Sequence, residues 1–416
     1  AATATIRAEL PTGRLGRAAE VTERWRPVAE ALADDPSAVA AVAGYWGVVA
    51  NVDFRRGSME DAVAGADRAI RLGEPLALDA VVAQALVTKG SALAGLRRTR
   101  ESAALLRGAL ADAEDHGIHE AAIRAGVNLA GTTTDADPRG SIELTRQGIE
   151  LTRRLGIRNF DAYFAGNATA AVRTGEWAWL RSTVEELLAV DPERPEAEWI
   201  RSLLNETEVW TEAGRDDDAR RLLARGRADG DFQTVGNCQA FLVKFAYARG
   251  RDDDALEWAR RLVERPVGWF YEIGLAGRIA ARIGRSEETQ AIVAVLAGVP
   301  NGAIRTDAQM VRAVLAARDS REAEALAGFR AGIESYRDLG LQFDVALAGL
   351  AMAEVLPASI PAVAEAVEEA RGIAAALGAT RVTWLLDEAA ARPSAPPAAR
   401  AGRVEAPSSS ADVPAA

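Results

Sequence analysis

Two histidines stand three residues apart and have the spacing of a possible metal site. His116 and His119 could reach one zinc ion from a single helical turn. They flank Gly117, however, where the sequence predicts a turn, and no further histidine or nearby cysteine completes a ligand set. We therefore interpret the pair as part of an exposed turn and predict no metal in this chain.

Two acidic runs, 216–218 and 252–254, offer carboxylates of the kind that bind calcium. A calcium loop needs oxygen ligands at alternating positions, a central glycine and a closing glutamate. Neither run has this pattern. Both runs precede a helical stretch, where acidic side chains favour the start of a helix. We interpret them as helix-start residues.

Nucleophilic and phosphate chemistry also lack their usual motifs. No Gly-x-x-x-x-Gly-Lys-Ser/Thr segment occurs, and Lys89 and Lys244 are the two lysines of the chain. Cys238 is the single cysteine and has no histidine neighbour to activate its thiol, so we expect a small buried packing residue. No nucleophile-elbow motif is present. The sequence thus predicts a protein that is not an enzyme and takes no cofactor.

The charge balance narrows the choice of partners. A formal net charge of −11 argues against nucleic acid, which needs a concentrated positive field. No run of about 18 apolar residues is present that would span a membrane. A single cysteine cannot form an internal disulfide, which favours a reducing cytoplasm. The expected partners are proteins, a peptide or a small-molecule effector.

Aromatic residues concentrate between positions 177 and 271 and mark a candidate binding region. One interpretation is core packing between stacked helices. The other is an aromatic-lined groove for a peptide or a small effector, with asparagines on the same helices. Both interpretations stay open from the sequence. The candidate groove residues are Asn167, Trp177, Asn205, Trp210, Asn237, Phe241, Phe245, Trp269 and Tyr271.

Helices must position these residues. Strong helix formers dominate the sequence, aromatic residues make up 6%, and no segment alternates in the manner of a strand. The phrase Gly-Arg-Asp-Asp-Asp-Ala occurs at 214–219 and again at 250–255, 36 residues later. Similar turn signals recur every 34 to 45 residues, which leaves room for two helices in each unit. The predicted turn glycines are Gly16, Gly57, Gly95, Gly140, Gly175, Gly214, Gly250 and Gly284.

The repeat predicts a stack of helix pairs. Because one pair cannot bury its apolar face, neighbouring pairs must stack, and contacts are expected to be local. Residues expected to cap the second helices are Ser58, Ser141, Asp216, Asp252 and Ser286. The predicted pairs occupy 36–72, 76–116, 119–155, 159–190, 194–229, 233–264, 268–298, 303–339 and 342–377. Residues 1–33 form a partial first unit and 379–391 a capping helix, so the repeat solenoid covers 1–391. Residues 392–416, rich in Pro, Ala and Ser, are predicted to be a disordered tail.

Several segments resemble the tetratricopeptide units of large bacterial ATP-dependent regulators. In residues 122–156, Asn128-Leu129-Ala130 matches an Asn-Leu-Gly step, and 140–142 matches the turn into the second helix. Residues 161–188, 336–356 and 364–379 are similar to the same proteins. The Trp, Leu, Tyr and Pro positions of the standard tetratricopeptide are filled only loosely.

The resemblance implies the C-terminal helical region of an actinobacterial multidomain protein. In those families a nucleotide cyclase or DNA-binding domain precedes a signal-transduction ATPase, and helical repeats follow. Regulators of the LuxR type place a helix-turn-helix domain after the repeats, whereas a Pro/Ala/Ser tail follows them here, which favours the cyclase arrangement. Since Ala1 is not an initiator methionine, we expect a piece of a longer protein, with any cyclase or ATPase activity outside it.

The predicted fold is an all-α, tetratricopeptide-like, right-handed superhelical solenoid of antiparallel helix pairs. The predicted function is a non-catalytic region for protein interaction and ligand sensing in a cytoplasmic ATP-dependent signalling or transcriptional regulator. Its partners would include ATPase or effector domains of the same polypeptide. Two alternatives stay open: a stand-alone tetratricopeptide adaptor for protein partners, and an enzyme that uses the solenoid cavity as its active site.

Overall fold

The computed structural model describes residues 2–9, 14–157, 161, 164, 167, 169–194, 197–264, 268–299 and 301–391. Within these residues the chain forms 21 α-helices and no β-strand, so the all-α prediction is confirmed. The predicted tail at 392–416 lies outside the described residues. The helices are α1 (Ala2–Glu9), α2 (Leu15–Ala31), α3 (Val39–Arg55), α4 (Met59–Gly73), α5 (Asp79–Gly95), α6 (Thr99–Asp115), α7 (His119–Thr133), α8 (Pro138–Leu155), α9 (Thr169–Thr174), α10 (Trp177–Val190), α11 (Ala197–Glu208), α12 (Asp217–Asp229), α13 (Phe232–Ala248), α14 (Asp252–Glu264), α15 (Phe270–Ile283), α16 (Ser286–Ala297), α17 (Gly302–Arg318), α18 (Glu322–Asp338), α19 (Gln342–Val355), α20 (Pro361–Leu377) and α21 (Thr380–Ala391).

The helices follow one another in pairs, as the turn spacing predicts. The pairs α3–α4, α5–α6 and α7–α8 begin and end within a few residues of the predicted units, and α21 takes the place of the predicted capping helix. First helices pack on their partners, and several also pack on the first helix of the next pair: α3 contacts α5, α5 contacts α7, α13 contacts α15, and α15 contacts α17. This alternation of contacts is that of a helical repeat.

The two helices of a pair bury different amounts of surface because their sequences differ. In the first helix α19, every residue from 343 to 352 is buried, since the helix is apolar on almost all sides. The second helix α20 buries Val363, Ala366, Ala370 and Ala374, which share one face at the spacing of an amphipathic helix. First helices such as α19 therefore form the interior, and second helices cover it.

The predicted turn glycines differ in their backbone conformation and in their position relative to the helices. The left-handed backbone that favours glycine occurs at Gly57, Gly175, Gly250 and Gly284. In two other turns the left-handed residue is Arg97 or Ser320, each with a φ of 61°. The prediction of a turn is wrong for Gly16 and Gly140, which lie inside α2 and α8. At α8 the helix starts earlier because Pro138 occupies its first turn and Asp137 caps it.

The capping residues also differ from those expected. Ser58 and Asp216 occupy N-cap positions but make no capping hydrogen bond. Asp216 accepts from Arg220 at 2.7 Å, and its counterpart Asp252 accepts from Arg282 of the next pair at 2.7 Å. Side chains that do cap a helix are those of Asp137, Asp231 and Asn301. The repeated acidic phrase thus contributes ion pairs more than caps.

Contacts also join units that are far apart in the sequence, so the expectation of purely local contacts is wrong. Phe343 of α19 packs edge-on against Trp177 and Trp210, with ring centroids 5.0 Å apart in both pairs. Arg55 of α3 donates at 2.5 Å to Asp231, which stands 176 positions later. The chain therefore curves tightly enough for distant units to meet. Aromatic and charged side chains form the contacts between these units.

One of these long-range contacts centres on a buried arginine. Arg173 of α9 is 0% exposed. Its Nε donates to Asp344 at 2.7 Å, and its terminal nitrogens donate to Asp135 at 3.2 Å and to Asp307 at 3.4 Å. Its guanidinium also lies 4.5 Å from the centroid of the Tyr271 ring. We refer to the arginine and its three aspartates as the Arg173 cluster. It fixes α9 against α17 and α19, because a buried charge is tolerated only when it is paired.

A second arginine enlarges the cluster. Arg278 of α15 donates through one terminal nitrogen to Asp307 at 3.3 Å and to the Tyr336 hydroxyl at 2.6 Å. The Tyr336 hydroxyl in turn donates to Asp307 at 2.6 Å. Two arginines therefore face three aspartates. If all were ionised, one negative charge would be left without a cation.

Burial raises the pKa of Asp135 to about 6. Asp344 is a second buried acid on which this excess charge acts. Burial raises its pKa, Arg173 lowers it, and the neighbouring Asp307 raises it again, so that the pKa of Asp344 is about 6. One of its oxygens, Oδ1, has no hydrogen-bond partner among the described residues. An unpaired oxygen in a buried site favours the protonated acid. Asp344 is thus neutral in mildly acidic solution.

The Arg173 cluster predicts a strong effect of removing its central cation. Arg173→Ala leaves buried carboxylates without a partner, and we expect a loss of about 3–5 kcal/mol in the free energy of unfolding. The measurement is urea unfolding followed by circular dichroism. Arg154→Ala is the control, because Arg154 is exposed and lies 4.0 Å from Glu150; its loss should stay below about 1 kcal/mol. Equal losses in the two variants would show that the cluster does not stabilise the fold.

The raised pKa of Asp344 predicts a pH effect of defined sign. The folded carboxyl, with a pKa of about 6, binds its proton more tightly than an unfolded aspartate, with a pKa of about 3.9. Its stabilising contribution is therefore complete below about pH 4 and is lost as the pH rises through 6. In Asp344→Asn the contribution of this carboxyl is absent, whereas Asp135, whose pKa is also raised to about 6, is present in both proteins. We expect the difference in unfolding free energy, wild type minus variant, to fall by about 2 kcal/mol between pH 4 and pH 7.

The control for this measurement is Asp338→Asn, since Asp338 is exposed at the end of α18. Because this side chain lies at the surface, we expect its replacement to alter the pH dependence of stability much less than Asp344→Asn does. A pH-independent difference for Asp344→Asn would contradict the raised pKa.

Candidate ligand-binding site

A cavity of about 110 Å³ opens between α11, α12, α13 and the start of α15. We call it the α11–α15 pocket. Because α11, α13 and α15 are first helices of three consecutive pairs, the repeat itself brings their facing side chains together. The side chains that give the pocket its chemistry are three aromatic rings (Trp199, Phe241, Trp269), two asparagines (Asn205, Asn237) and three charged groups (Glu206, Lys244, Glu272).

A buried lysine lies between two carboxylates in this pocket. Lys244 is 2% exposed and forms ion pairs with Glu206 of α11 and with Glu272 of α15, the second at 2.9 Å. Burial lowers the pKa of Lys244, but the two carboxylates raise it by more, and the net shift is upward. The lysine therefore stays charged. We call these three residues the Lys244 triplet; it ties α11, α13 and α15 together.

Trp269 forms one wall of the pocket and has a left-handed backbone. Its φ is 56°, a conformation that few residues other than glycine adopt. The indole Nε1 donates to Asn237 Oδ1 at 2.7 Å, and the ring packs edge-on against Phe232 with centroids 6.1 Å apart. The ring also covers Gly236, where an added Cβ atom would overlap it. Neighbours on α13 thus hold the tryptophan in its strained position.

Asn205 presents an unused amide to the pocket. Asn205 as a whole residue is 8% exposed and lines the cavity, and its amide has no hydrogen-bond partner among the described residues. An amide that reaches a cavity and has no partner within the protein is available to a ligand.

Cys238 also lines the pocket and is a buried residue, as the sequence predicts. Burial raises the pKa of its thiol to about 12, with a small opposing effect of Arg225. The thiol is therefore uncharged at neutral pH and is a poor nucleophile. It acts in the wall as a small apolar group.

The pocket brings together some of the predicted groove residues and leaves others elsewhere. Those that line it are Asn205, Asn237, Phe241 and Trp269. Trp177 and Trp210 lie in the core around Phe343, so that core packing is the correct interpretation for these two.

The three other predicted residues also lie outside the pocket. Tyr271 is buried under the guanidinium of Arg173. Phe245 lies beneath Arg249, at 4.9 Å from the ring centroid. The amide of Asn167 donates to a backbone carbonyl of α7, that of Val127, at 2.9 Å.

Sequence reasoning missed the charged part of the site. Lys244, Glu206 and Glu272 were not among the candidates, although one signal pointed to them. Lys244 is one of two lysines in the chain and interrupts an apolar stretch, 240–248, in which every other residue is uncharged. A rare charge inside an apolar helix needs a buried partner, and that partner comes from the neighbouring helices.

The two histidines considered as metal ligands lie at the surface of the protein. His116 and Gly117 form an exposed turn, and His119 is exposed at the start of α7. The pKa of His116 is raised by its hydrogen bond to the backbone oxygen of Asp112, at 2.8 Å. In the described part of the chain, no three His, Cys, Asp or Glu side chains are arranged to hold a metal ion. Among the described helices none has both the length and the apolar character needed to cross a bilayer.

Known proteins offer little to set beside this site. No protein-family model matches the sequence, and no curated protein matches it either. Among solved structures, the chain is similar to a circular tandem repeat protein with novel repeat topology and enhanced subunit contact surfaces, at 14% identity over 93% of each chain and a TM-score of 0.16. With so low a TM-score, this likeness carries no conclusion about shape or function.

The packing of Trp269 over Gly236 predicts the effect of a single methyl group. In Gly236→Ala the new methyl group must displace the indole, and we expect a loss of about 1–3 kcal/mol in unfolding free energy together with a change in tryptophan fluorescence. Gly108→Ala is the matched control, because nothing surrounds Gly108 on the exposed face of α6. It should be neutral or stabilise by up to about 1 kcal/mol. Unchanged fluorescence and stability in Gly236→Ala would contradict this placement of Trp269.

Proposed function

We propose that this chain is a non-catalytic binding region whose ligand occupies the α11–α15 pocket. The main support is Asn205, a nearly buried residue whose unpaired amide lines a cavity walled by aromatic rings. Sites for small molecules and peptide side chains are concave and largely apolar, with a few placed polar groups. The pocket has this composition, and the helical repeat architecture is one that commonly serves in protein interaction.

We also propose the setting in which this binding takes place. The chain would be a right-handed, superhelical, tetratricopeptide-like solenoid within a cytoplasmic ATP-dependent signalling or transcriptional regulator. The support is the resemblance of residues 122–156 and 161–188 to the repeats that follow ATPase modules. The effector domains of such a protein would respond to the occupied pocket.

Helix α15 offers a physical connection from the pocket to the rest of the chain. Glu272 belongs to the Lys244 triplet, and the adjacent Tyr271 packs under Arg173. A ligand that moves Glu272 therefore acts on a helix that also contacts the Arg173 cluster. This connection supports a sensing role for the pocket.

Panning a random-peptide display library on the full chain tests the proposed binding. We expect enriched peptides to bind the wild type and to lose about tenfold or more in affinity for Asn205→Leu, because leucine has a similar volume but cannot pair with a buried polar group of the ligand. The control is Asn128→Leu. The Asn128 amide donates to the Arg124 carbonyl on α7, outside the pocket, so this variant should bind as the wild type does.

Two results would contradict the proposed function. Peptides that bind Asn205→Leu and the wild type equally well would show that the pocket is not the binding site. ATP hydrolysis or cyclic nucleotide formation by the purified chain would show that the region is catalytic.

A further inference from the structure

We infer, on the basis of the binding function proposed above, that the α11–α15 pocket takes a primary ammonium group of a peptide. The ammonium is that of a lysine side chain or of the peptide N-terminus. The carboxylates, aromatic rings and free amide of the pocket specify the charge and the chemical class of the ligand, which the repeat architecture alone does not.

The charges of the Lys244 triplet do not cancel. Glu206 and Glu272 carry two negative charges, and Lys244 supplies one positive charge. Lys244 is already paired with both carboxylates and is almost completely buried, so it has little capacity left to attract an anion. The pocket therefore keeps one negative charge in a site partly shielded from water, where charge interactions are stronger than in bulk solvent. A cation compensates this charge, and an anion would be repelled.

The free acceptors of the pocket match the donors of an ammonium group in number. Glu206 pairs with Lys244 through Oε2, and Glu272 pairs through Oε1. The second oxygen of each carboxylate has no hydrogen-bond partner among the described residues. With the unused amide oxygen of Asn205, three acceptors are available. An ammonium group has three donors and no acceptor.

The walls favour the same kind of ligand. The rings of Trp199, Phe241 and Trp269 line the cavity, and the faces of such rings attract cations. Aromatic walls also accept the methylene groups that carry a lysine ammonium. A hydrated metal ion gains little from such walls, because its preferred ligands are oxygen atoms.

The size of the cavity limits what enters it. About 110 Å³ accommodates a terminal group and not a whole peptide, so the rest of the ligand must lie outside. Asn237 stands exposed at the entrance, and its amide oxygen accepts the hydrogen bond from the Trp269 indole. Its amide nitrogen therefore remains to donate to a carbonyl of the ligand. The entrance thus suits a peptide backbone that continues away from a bound ammonium.

Four small probes that differ in charge test the inference on the full chain. N-acetyl-lysine amide carries a side-chain ammonium, and alanine amide carries a terminal one. N-acetyl-norleucine amide is the neutral analogue of the lysine probe, and N-acetyl-glutamate amide is anionic. Binding is followed by tryptophan fluorescence and by calorimetry. We expect at least one ammonium probe to bind about tenfold or more tightly than the neutral one, and the better of the two identifies the source of the ammonium.

A pair of matched variants on α11 tests the role of the carboxylates. Glu206→Gln removes one negative charge from the pocket and should weaken binding of the ammonium probes about tenfold. Glu198→Gln removes the same charge from the same helix, where Glu198 pairs with Arg225 at the surface, and should leave binding unchanged. Circular dichroism and thermal unfolding show whether each variant is folded.

The comparison of probes on the wild type tests whether the pocket binds an ammonium group even if Glu206→Gln fails to fold. Neutral or anionic probes that bind as tightly as the ammonium probes overturn the inference. So does the absence of any ammonium binding to a chain that binds displayed peptides. If such binding is lost in Asn205→Leu, the pocket remains the ligand site and only the ammonium assignment fails. If Asn205→Leu has no effect on any probe or peptide, both proposals fail.

Discussion

The long-range arrangement of this chain depends on one buried positive charge that has to be neutralised. Arg173 has no access to water, and moving an unpaired charge into such a site costs several kcal/mol or more. Its aspartates come from the α7–α8 turn, from α17 and from α19. The charge is therefore neutralised only when units far apart in sequence meet. Packing of Phe343 on Trp177 and Trp210 also stabilises this contact between distant units, but hydrophobic packing is not directional. The guanidinium, with its fixed donors, specifies how the units align.

Helix α15 belongs both to this closure and to the candidate pocket. Successive residues of a helix point about 100° apart, so Tyr271 and Glu272 face different neighbours. The first packs under Arg173, and the second pairs with Lys244. The left-handed residue Trp269 stands at the start of the same helix, where the α13 residue Asn237 holds it. The position of α15 therefore affects both the shape of the pocket and the packing around the Arg173 cluster.

The sequence predicts well what depends on neighbouring residues and poorly what depends on distant ones. The pair α7–α8 falls at the predicted 119–155, because apolar spacing and turn chemistry are local. The left-handed conformations of Arg97 and Ser320 escape glycine-based reasoning, since neither residue type signals a left-handed backbone. Asn205 and Asn237 were found because both stand on first helices of the units that are rich in aromatic residues. Core packing of Trp177 and Trp210 was one of two open interpretations, but their contact with Phe343 was not foreseen, since α19 meets them only after the chain has curved back. The Lys244 triplet was missed for a similar reason, because its three members stand on three different helices.

The residue type at position 244, a lysine and not an arginine, determines which carboxylate oxygens remain free in the pocket. The chain uses arginine at almost all of its basic positions, including the buried Arg173 and Arg278. A guanidinium is planar and binds a carboxylate through both oxygens at once. At position 244 it would occupy the oxygens of Glu206 or Glu272 that the compact lysine ammonium leaves free. Lysine instead touches one oxygen of each, and the second oxygens remain as acceptors in the cavity. The choice of lysine thus neutralises one carboxylate while keeping a negative, hydrogen-bonding surface that a second ammonium group can use.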